Sequence, residues 1–382
     1  MSLECTLTGA RVLRPDGWSD GPLSVAEGMV ATGTTGRAID LSGYLVLPGI
    51  VDPHGDGFER HMAPRRGALR EAEHGVVAAA SELAANGITT AILAQFFSWE
   101  GGMRGPDFAE HVFESVAHVR DTVDVDLQLQ LRLETHLLDD FCRAESAIDR
   151  FGIKYVVFND HLPHQRLSEG RKPPRLTGQA LKSGRSPEAH LALMQDLHAR
   201  SADVPAALDA LSARLVKKGI VLGSHDDSTL GDRQAWATRG ATVSEFPETL
   251  QAAQAARDDG AYIVLGAPNV VRGASHAGNI AASDLIGQGL CDALASDYHY
   301  PSPLRAAFRL EELGLCDLAS AWALLSSGPA RLLGLTDRGQ LAPGKRADVV
   351  VVDPGTRRVE ATIAAGRVAH LTGAVAERFL RA

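Results

Sequence analysis

Eight short apolar runs, five of them ending at polar, ligand-type residues, constrain this chain more than any other feature. They are Ile50–His54, Thr89–Phe97, Val125–Glu134, Tyr155–His161, Ile220–His225, Thr242–Phe246, Tyr262–Pro268 and Leu290–Asp297. Segments with helical character, such as Glu73–Asn86, Pro187–Arg200 and Pro205–Lys218, separate many of them. Such alternation calls for parallel strands joined by crossover helices. Eight repeats fit a (β/α)8 TIM-type barrel, a fold of ~250 residues before insertions. A doubly wound open sheet is the alternative arrangement of the same units. The two ends of the chain read differently. "CTLTGARVLRPDG", "GPLSVAEGMVATG" and "RAIDLSGYLVLPG" lead in, and "GQLAPGKRADVVVVDPGTRRVEATIAAGRVAHLTG" leads out. Both are β-rich and punctuated by glycine, and neither makes a full sheet with its own core. The expectation is a small β-sandwich built by both ends, residues 1–47 with 340–382, around a barrel of residues 48–339.

Charge narrows the partners. Among 382 residues, 38 basic ones face 47 acidic ones, a formal charge of −9. That speaks against nucleic acid or an anionic membrane as a general partner and leaves only a local basic patch. Cys5, Cys142, Cys291 and Cys316 form no CxxC pair and read as reduced thiols of a cytoplasmic protein. No apolar run reaches the ~18 residues of a membrane span, and Met1-Ser2-Leu3-Glu4 lacks a signal-peptide pattern. A small molecule is the expected partner, with homo-oligomerisation left open.

In a barrel, chemistry sits at the C-terminal ends of the strands. Here those ends read His54-Gly55-Asp56, Arg132-Leu133-Glu134, Asn159-Asp160-His161, Ser224-His225-Asp226-Asp227 and Ser296-Asp297-Tyr298-His299. A lone His or Asp needs no metal to explain it, since it can simply cap a strand. Five strand ends finishing in ligand-type residues are another matter, because unpaired buried carboxylates desolvate at high cost. His54 and Asp56, two apart on a strand, point the same way. Imidazole and carboxylate donors suit Zn2+, or Mn2+, and a set this large suits two divalent ions bridged by a carboxylate.

The β-rich ends, "LPGIVDPHGD", "GITTAI", the late "ASD" and "LAPGKRADVVVVD" resemble the amidohydrolase superfamily over the whole chain. Its usual first-strand His-x-His is His54-Gly55-Asp56 here, and Glu134, counted on the third strand, takes the bridging place of its usual carboxylated lysine. A narrower resemblance is carried by "DPHGDGFERHMAPRRG", "FNDHLPHQ", "LGSHDDSTL", "SEFPET", "GAPNVVRGASHAGN" and "ASDYHYPSPL". These are similar to the α-D-ribose 1-methylphosphonate 5-triphosphate diphosphatases of the carbon–phosphorus lyase pathway. The resemblance implies metal ligation by His54, Asp56, Glu134, His161, His225 and Asp297. It also implies Asp297 as the catalytic proton acceptor and hydrolysis of a ribose 5-triphosphate to the 5-phosphate and pyrophosphate.

Such a phosphorylated-sugar substrate needs cations and N–H donors. After the seventh run residues 269–279 read as a loop, in which Arg272 can fork onto phosphate, Ser275, His276 and Asn279 can meet it, and Gly273 and Gly278 let backbone N–H groups approach. Arg60, His61, Arg65 and Arg66 crowd the mouth after the first run. Between His164 and Pro187, Arg166, Arg171, Lys172, Arg175, Lys182 and Arg185 face one acid, Glu169, among Gly170, Pro173-Pro174 and Gly184. This stretch reads as a long basic loop, a lid over the phosphates with Lys172 and Arg175 as contacts, the alternative being a disordered linker. Asp160, Asp226, Asp227 and Glu245 are candidates for orienting ligands or holding ribose hydroxyls. Hydrolysis of a cyclic imide or N-acyl amino acid by the same metals is the alternative activity. A scaffold without catalysis is a third reading, which the full ligand set opposes, and no His-x-x-Glu near a strand end favours a deaminase.

Overall fold

The computed structural model describes residues 2–63, 71–273 and 279–382. Eight parallel strands follow one another in a single sheet: β1 (Ile50–Gly55), β2 (Ile88–Phe97), β3 (Asp126–Glu134), β4 (Tyr155–Asn159), β5 (Val221–His225), β6 (Val243–Glu245), β7 (Tyr262–Gly266) and β8 (Ala293–Ala295). Each strand falls within its expected run, or exceeds it by one residue. All ten residues of β2 are buried, as a strand covered on both faces requires. The register pairs Glu134 with Asn159, Phe158 with Ser224, and His225 with Glu245. A parallel bridge between Gly55 and Asp297 returns the last strand to the first. There the Asp297 N–H donates to the His54 carbonyl at 3.0 Å, and the Asp56 N–H to the Asp297 carbonyl at 3.0 Å. The sheet is a nearly closed barrel. An open doubly wound sheet would leave both edge strands unpaired and is excluded.

The chain ends build two smaller sheets. One holds Met29–Ala31, Leu23–Ala26, Cys5–Thr8 and Arg37–Asp40, in that order. The other runs Arg367–Leu371, Arg358–Ala364, Val349–Asp353, Leu45–Pro48, Arg11–Arg14 and Gly17–Ser19. The two ends meet in the antiparallel pairing of Val349 with Pro48 and Val351 with Val46. Leu7, Val25, Ile39, Val46, Val349, Val351 and Ile363 form the apolar filling of this β-sandwich. Alternation with polar residues selects the inward face in Cys5–Thr8 and Leu23–Ala26, whereas Leu45–Pro48 and residues 349–352 are apolar and buried throughout. The chain finishes in a helix, Gly373–Arg381, whose Val375 and Phe379 join that core. Their i, i+4 spacing is a helical signal within a stretch that reads as β-rich.

Two compact units divide the chain: Met1–Leu93 with His118–Gln128 and Tyr262–Ala382, and Ala94–Ala117 with Leu129–Ala261. The second has its own apolar cluster, including Phe97, Phe113, Leu133, Phe158, Met194 and Leu211. Among the described residues no helix is long and apolar enough to cross a membrane.

Two expectations about loops are corrected. Residues 164–187 are not one long loop but hold the helices His164–Ser168 and Leu176–Ser183. Pro173-Pro174 lie before the second helix, where they cost it no hydrogen bond. Gly184, at φ +71°, ends it in the left-handed conformation. Leu167, Leu176 and Ala180 are buried, the first two in the second unit's apolar cluster, so burial overrides the local abundance of charge. Likewise Ala267–Arg272 is helical rather than loop, started by Pro268 in its first turn and ended by Gly273 at φ +74°.

Candidate active site

In the first unit, His54, Asp56 and Asp297 bring ligand-type atoms within 4.8 Å of one another. His54 is fully buried on β1, and the backbone bonds across the Gly55–Asp297 bridge hold the other two beside it. Asp297 has φ +54°, a conformation that a non-glycine residue keeps only where its surroundings impose it. Beneath them Asp52 accepts from the Ser296 N–H at 2.8 Å and the Ser296 hydroxyl at 2.5 Å. Burial pushes its carboxyl up against these bonds. The buried Tyr300 hydroxyl has no hydrogen-bond partner among the described residues. Burial pushes it well above its usual range, and the charges of Asp52 and Asp56 add to that.

Two arginines meet beside this cluster. Arg60 donates to the Tyr298 carbonyl at 3.1 Å, and Arg272 donates to the Tyr298 hydroxyl at 3.2 Å. Arg60 also pairs with Glu82, which meets His61 at 2.5 Å. Tyr298 itself is exposed, so both guanidinium groups sit at the surface next to Asp297. Asn279 is half-buried ahead of the helix Ala282–Gly287. Ser275, His276, Arg65 and Arg66 lie outside the described residues.

In the second unit, Glu100, Glu134 and His161 form a second group of the same kind. Glu134 is fully buried at the end of β3. It accepts from the Trp99 indole at 3.1 Å and the His161 N–H at 3.2 Å, and it pairs with the His161 ring. Burial alone would lower the His161 imidazole, but the Glu134 carboxylate outweighs it and holds the ring above its usual range. His225 lies between charges: Arg132 meets its Nε2 at 3.0 Å and Asp226 its Nδ1 at 3.0 Å. Burial and Arg132 depress its pKa against the pull of Asp226. Arg132 and Arg104 stack over Phe96 at 3.9 and 4.0 Å. Asp226 and Phe246 both take positive φ, at 61° and 53°.

The other acidic candidates divide. Glu245 is buried and accepts from Gln130 at 2.8 Å and the Tyr155 hydroxyl at 2.7 Å. Asp227 turns into the protein, accepting from Ser224 at 2.5 Å and Ser244 at 3.1 Å, which ties β5 to β6. Lys172 and Arg175 are exposed. Arg185 is engaged structurally, donating to the carbonyls of Trp99 and Glu100 at 3.0 Å each. Sequence reasoning missed Trp99, Tyr155 and Tyr298 as partners of the site. Only the place of Tyr298, next to Asp297, could have pointed to one of them.

Two clusters suited to divalent ions are therefore present. Each gathers two carboxylates and one imidazole within 4.8 Å, a donor set of the kind that binds divalent ions. The residues fit the metals that the sequence implies.

Comparison with known proteins agrees with this architecture. The profile described as "Amidohydrolase family" matches residues 280–371. The chain is similar to the alpha-D-ribose 1-methylphosphonate 5-triphosphate diphosphatase of Escherichia coli (strain K12). The two are 32% identical over 323 residues, covering 82% of this chain and 85% of that one. Among solved structures, a Xaa-Pro dipeptidase with bound methionine superposes with TM-score 0.63 at 14% identity, covering 96% of this chain and 99% of the other. An N-acyl-D-glutamate deacylase from Bordetella bronchiseptica, complexed with zinc and a phosphonate inhibitor, gives 0.61 at 14%, covering 96% of each. At such identities the structures share the fold.

Proposed function

We propose a function from one premise: the chain belongs to the amidohydrolase superfamily, in the branch resembling the ribose 1-methylphosphonate 5-triphosphate diphosphatase. It is a metal-dependent hydrolase. In the reading we favour, it cleaves a ribose 5-triphosphate to the 5-phosphate and pyrophosphate, as the name of its relative suggests. His54, Asp56 and Asp297 hold one divalent ion, Zn2+ or Mn2+, and Glu134 and His161 hold another, with His225 completing the set. Bound there, the ions supply Lewis acidity and lower the pKa of water toward ~7. Asp297 takes the proton from the attacking water. The water oxygen bonds to the phosphorus next to the ribose, and that phosphorus loses its bond to pyrophosphate. Arg60 and Arg272 neutralise the phosphate oxygens, and Lys172 and Arg175 attract the anion from solvent. Asn279, Ser275 and His276 complete the phosphate contacts. In this reading residues 48–339 are the catalytic barrel and residues 1–47 with 340–382 the accompanying sandwich.

The observation that carries the phosphate reading is the meeting of Arg60 and Arg272 on Tyr298, next to Asp297. Arg60 is also paired with Glu82, and Arg272, held at the Tyr298 hydroxyl, is the guanidinium that a phosphate would engage most directly. Amide hydrolysis is the second reading, and the solved structures of this fold back it more directly. They are named as a dipeptidase and a deacylase, and the exposed Lys172 and Arg175 show no built phosphate pocket. One assay separates the two readings. Metal-loaded protein is offered ribose 5-triphosphates and a panel of N-acyl amino acids and dipeptides, with pyrophosphate and free amine as readouts. Pyrophosphate release without amine release supports the first reading, and the reverse result replaces it with the second.

A further inference from the structure

Outside the two clusters assigned above, the second unit gathers three imidazoles and a carboxylate that the proposed reaction does not use. His164 lies between His136 and His198, with ring centroids 4.7 and 5.0 Å away. Asp160 meets His164 Nε2 at 3.0 Å and stands 3.6 Å from His136 Nδ1. Ligand-type atoms of His136, Asp160 and His164 all lie within 4.8 Å of one another.

The hydrogen bonds around the rings indicate which nitrogens are available. The Ser201 hydroxyl donates its one proton to the His198 carbonyl at 2.6 Å. Its contact with His136 Nε2 at 3.2 Å must therefore be one in which it accepts, and the ring proton sits on Nε2. In the neutral ring this directs the Nδ1 lone pair toward the side of Asp160, with Thr135 Oγ1 at 3.0 Å as its donor. Thr135 Oγ1 meets that lone pair as the protein stands, and an ion held by both Nδ1 and the Asp160 carboxylate, 3.6 Å apart, would take its place. His164 is arranged in a similar way. Its Nδ1 is held by His198 Nδ1 at 2.7 Å, and its Nε2 donates to Asp160 at 3.0 Å, a proton that an ion taken up between them would displace. An imidazole fixed through one nitrogen while the other binds is how metal ligands are normally oriented.

We propose that His136, Asp160 and His164 form a further binding site for a divalent transition ion of the zinc class, distinct from the two hydrolytic clusters. Two imidazoles and a carboxylate are a three-ligand set for such an ion, leaving a fourth position for water or an anionic oxygen. Asp160 and His164 are 39% and 35% exposed, so an ion can enter from solvent. His136, at 5%, anchors the site from within. The inference stands on this cluster alone and does not depend on which substrate the enzyme hydrolyses.

The test is metal stoichiometry of the full chain. Protein stripped by chelator is titrated with Co2+, whose visible absorption reports tetrahedral coordination, and bound metal is counted by elemental analysis. His164→Gln and Asp160→Asn should each bind one equivalent fewer than the parent, or bind that equivalent at least tenfold more weakly. Asp160→Asn, at an exposed position, keeps the test available should the other variant not fold. The nitrogen NMR shifts of the His136 and His164 rings should move in the parent when that equivalent binds. If both variants match the parent in stoichiometry and affinity, the proposal is overturned and the cluster is an ordinary imidazole–carboxylate contact. If the hydrolytic clusters bind nothing, the parent still takes up the equivalent that His164→Gln loses, so the two readings fail separately.

Discussion

Asp297 carries a burden of two kinds. Its left-handed backbone, at φ +54°, costs a non-glycine residue about 1–2 kcal/mol. That conformation lets its carbonyl accept from the N–H groups of Asp56 and Gly57, joining the last strand to the first. Its side chain is the proton acceptor of the proposed reaction. Asp297→Asn separates the two roles, because asparagine tolerates the same backbone and keeps the shape. We expect its turnover to fall ~10²–10⁴-fold, with most of the metal retained by elemental analysis and little change in melting temperature. Arg272 makes a second residue-scale prediction. If it meets phosphate, Arg272→Ala should lose roughly tenfold or more in kcat/KM on a ribose triphosphate, since ~1.4 kcal/mol is a factor of ten. On a neutral N-acyl substrate the same variant should match the parent, and equal losses on both would remove Arg272 from phosphate binding.

The stretch 164–187 shows how an element can contradict its own composition. Basic residues, two prolines and two glycines read as loop, yet Leu176–Ser183 is a helix with Leu176 and Ala180 buried. The prolines stand outside it and Gly184 stops it, so the same residues that suggested disorder mark its ends. Leu176, at 8% exposure, anchors the helix to the apolar cluster. We expect Leu176→Ala to cost about 2–3 kcal/mol in urea denaturation, the lower part of the range for buried leucines. A solvated lid would show no change. Strands were easier to read than this helix. Each is largely apolar, several close on polar residues, and its neighbour in the barrel is the next one along the chain, so local pattern places it. The helix Gly373–Arg381 was lost among β-like neighbours because its apolar pair, Val375 and Phe379, is the whole of its signal.

On the scale of the molecule, distant segments depend on each other. The strand Leu45–Pro48 finds its antiparallel partner in Val349–Asp353, and Arg338, only 8% exposed, pairs with Asp126 and donates to Thr90 at 2.8 Å. Removing one member of a sheltered ion pair takes compensation from the other, and here Arg346, 3.3 Å from Asp126, limits the loss. Because Asp126 retains 29% exposure, we expect Arg338→Met to cost about 1–3 kcal/mol, read as a lowered midpoint of thermal unfolding. An unchanged midpoint would reduce this pair to the worth of an exposed one. The local order of residues determined the strands, their polar ends, the β-rich termini and the ligand types in His54, Asp56, Glu134, His161, His225 and Asp297. These follow from hydrophobic periodicity and from the cost of burying charge, both of which act on neighbours along the chain. The tertiary structure alone decided that Arg132 faces His225, that Arg60 and Arg272 share Tyr298, and that His136 and His164 gather around Asp160. Arg60 and Tyr298 are 238 residues apart. A hydrogen bond is set by distance and direction in space, and only the closed sheet brings such residues within reach.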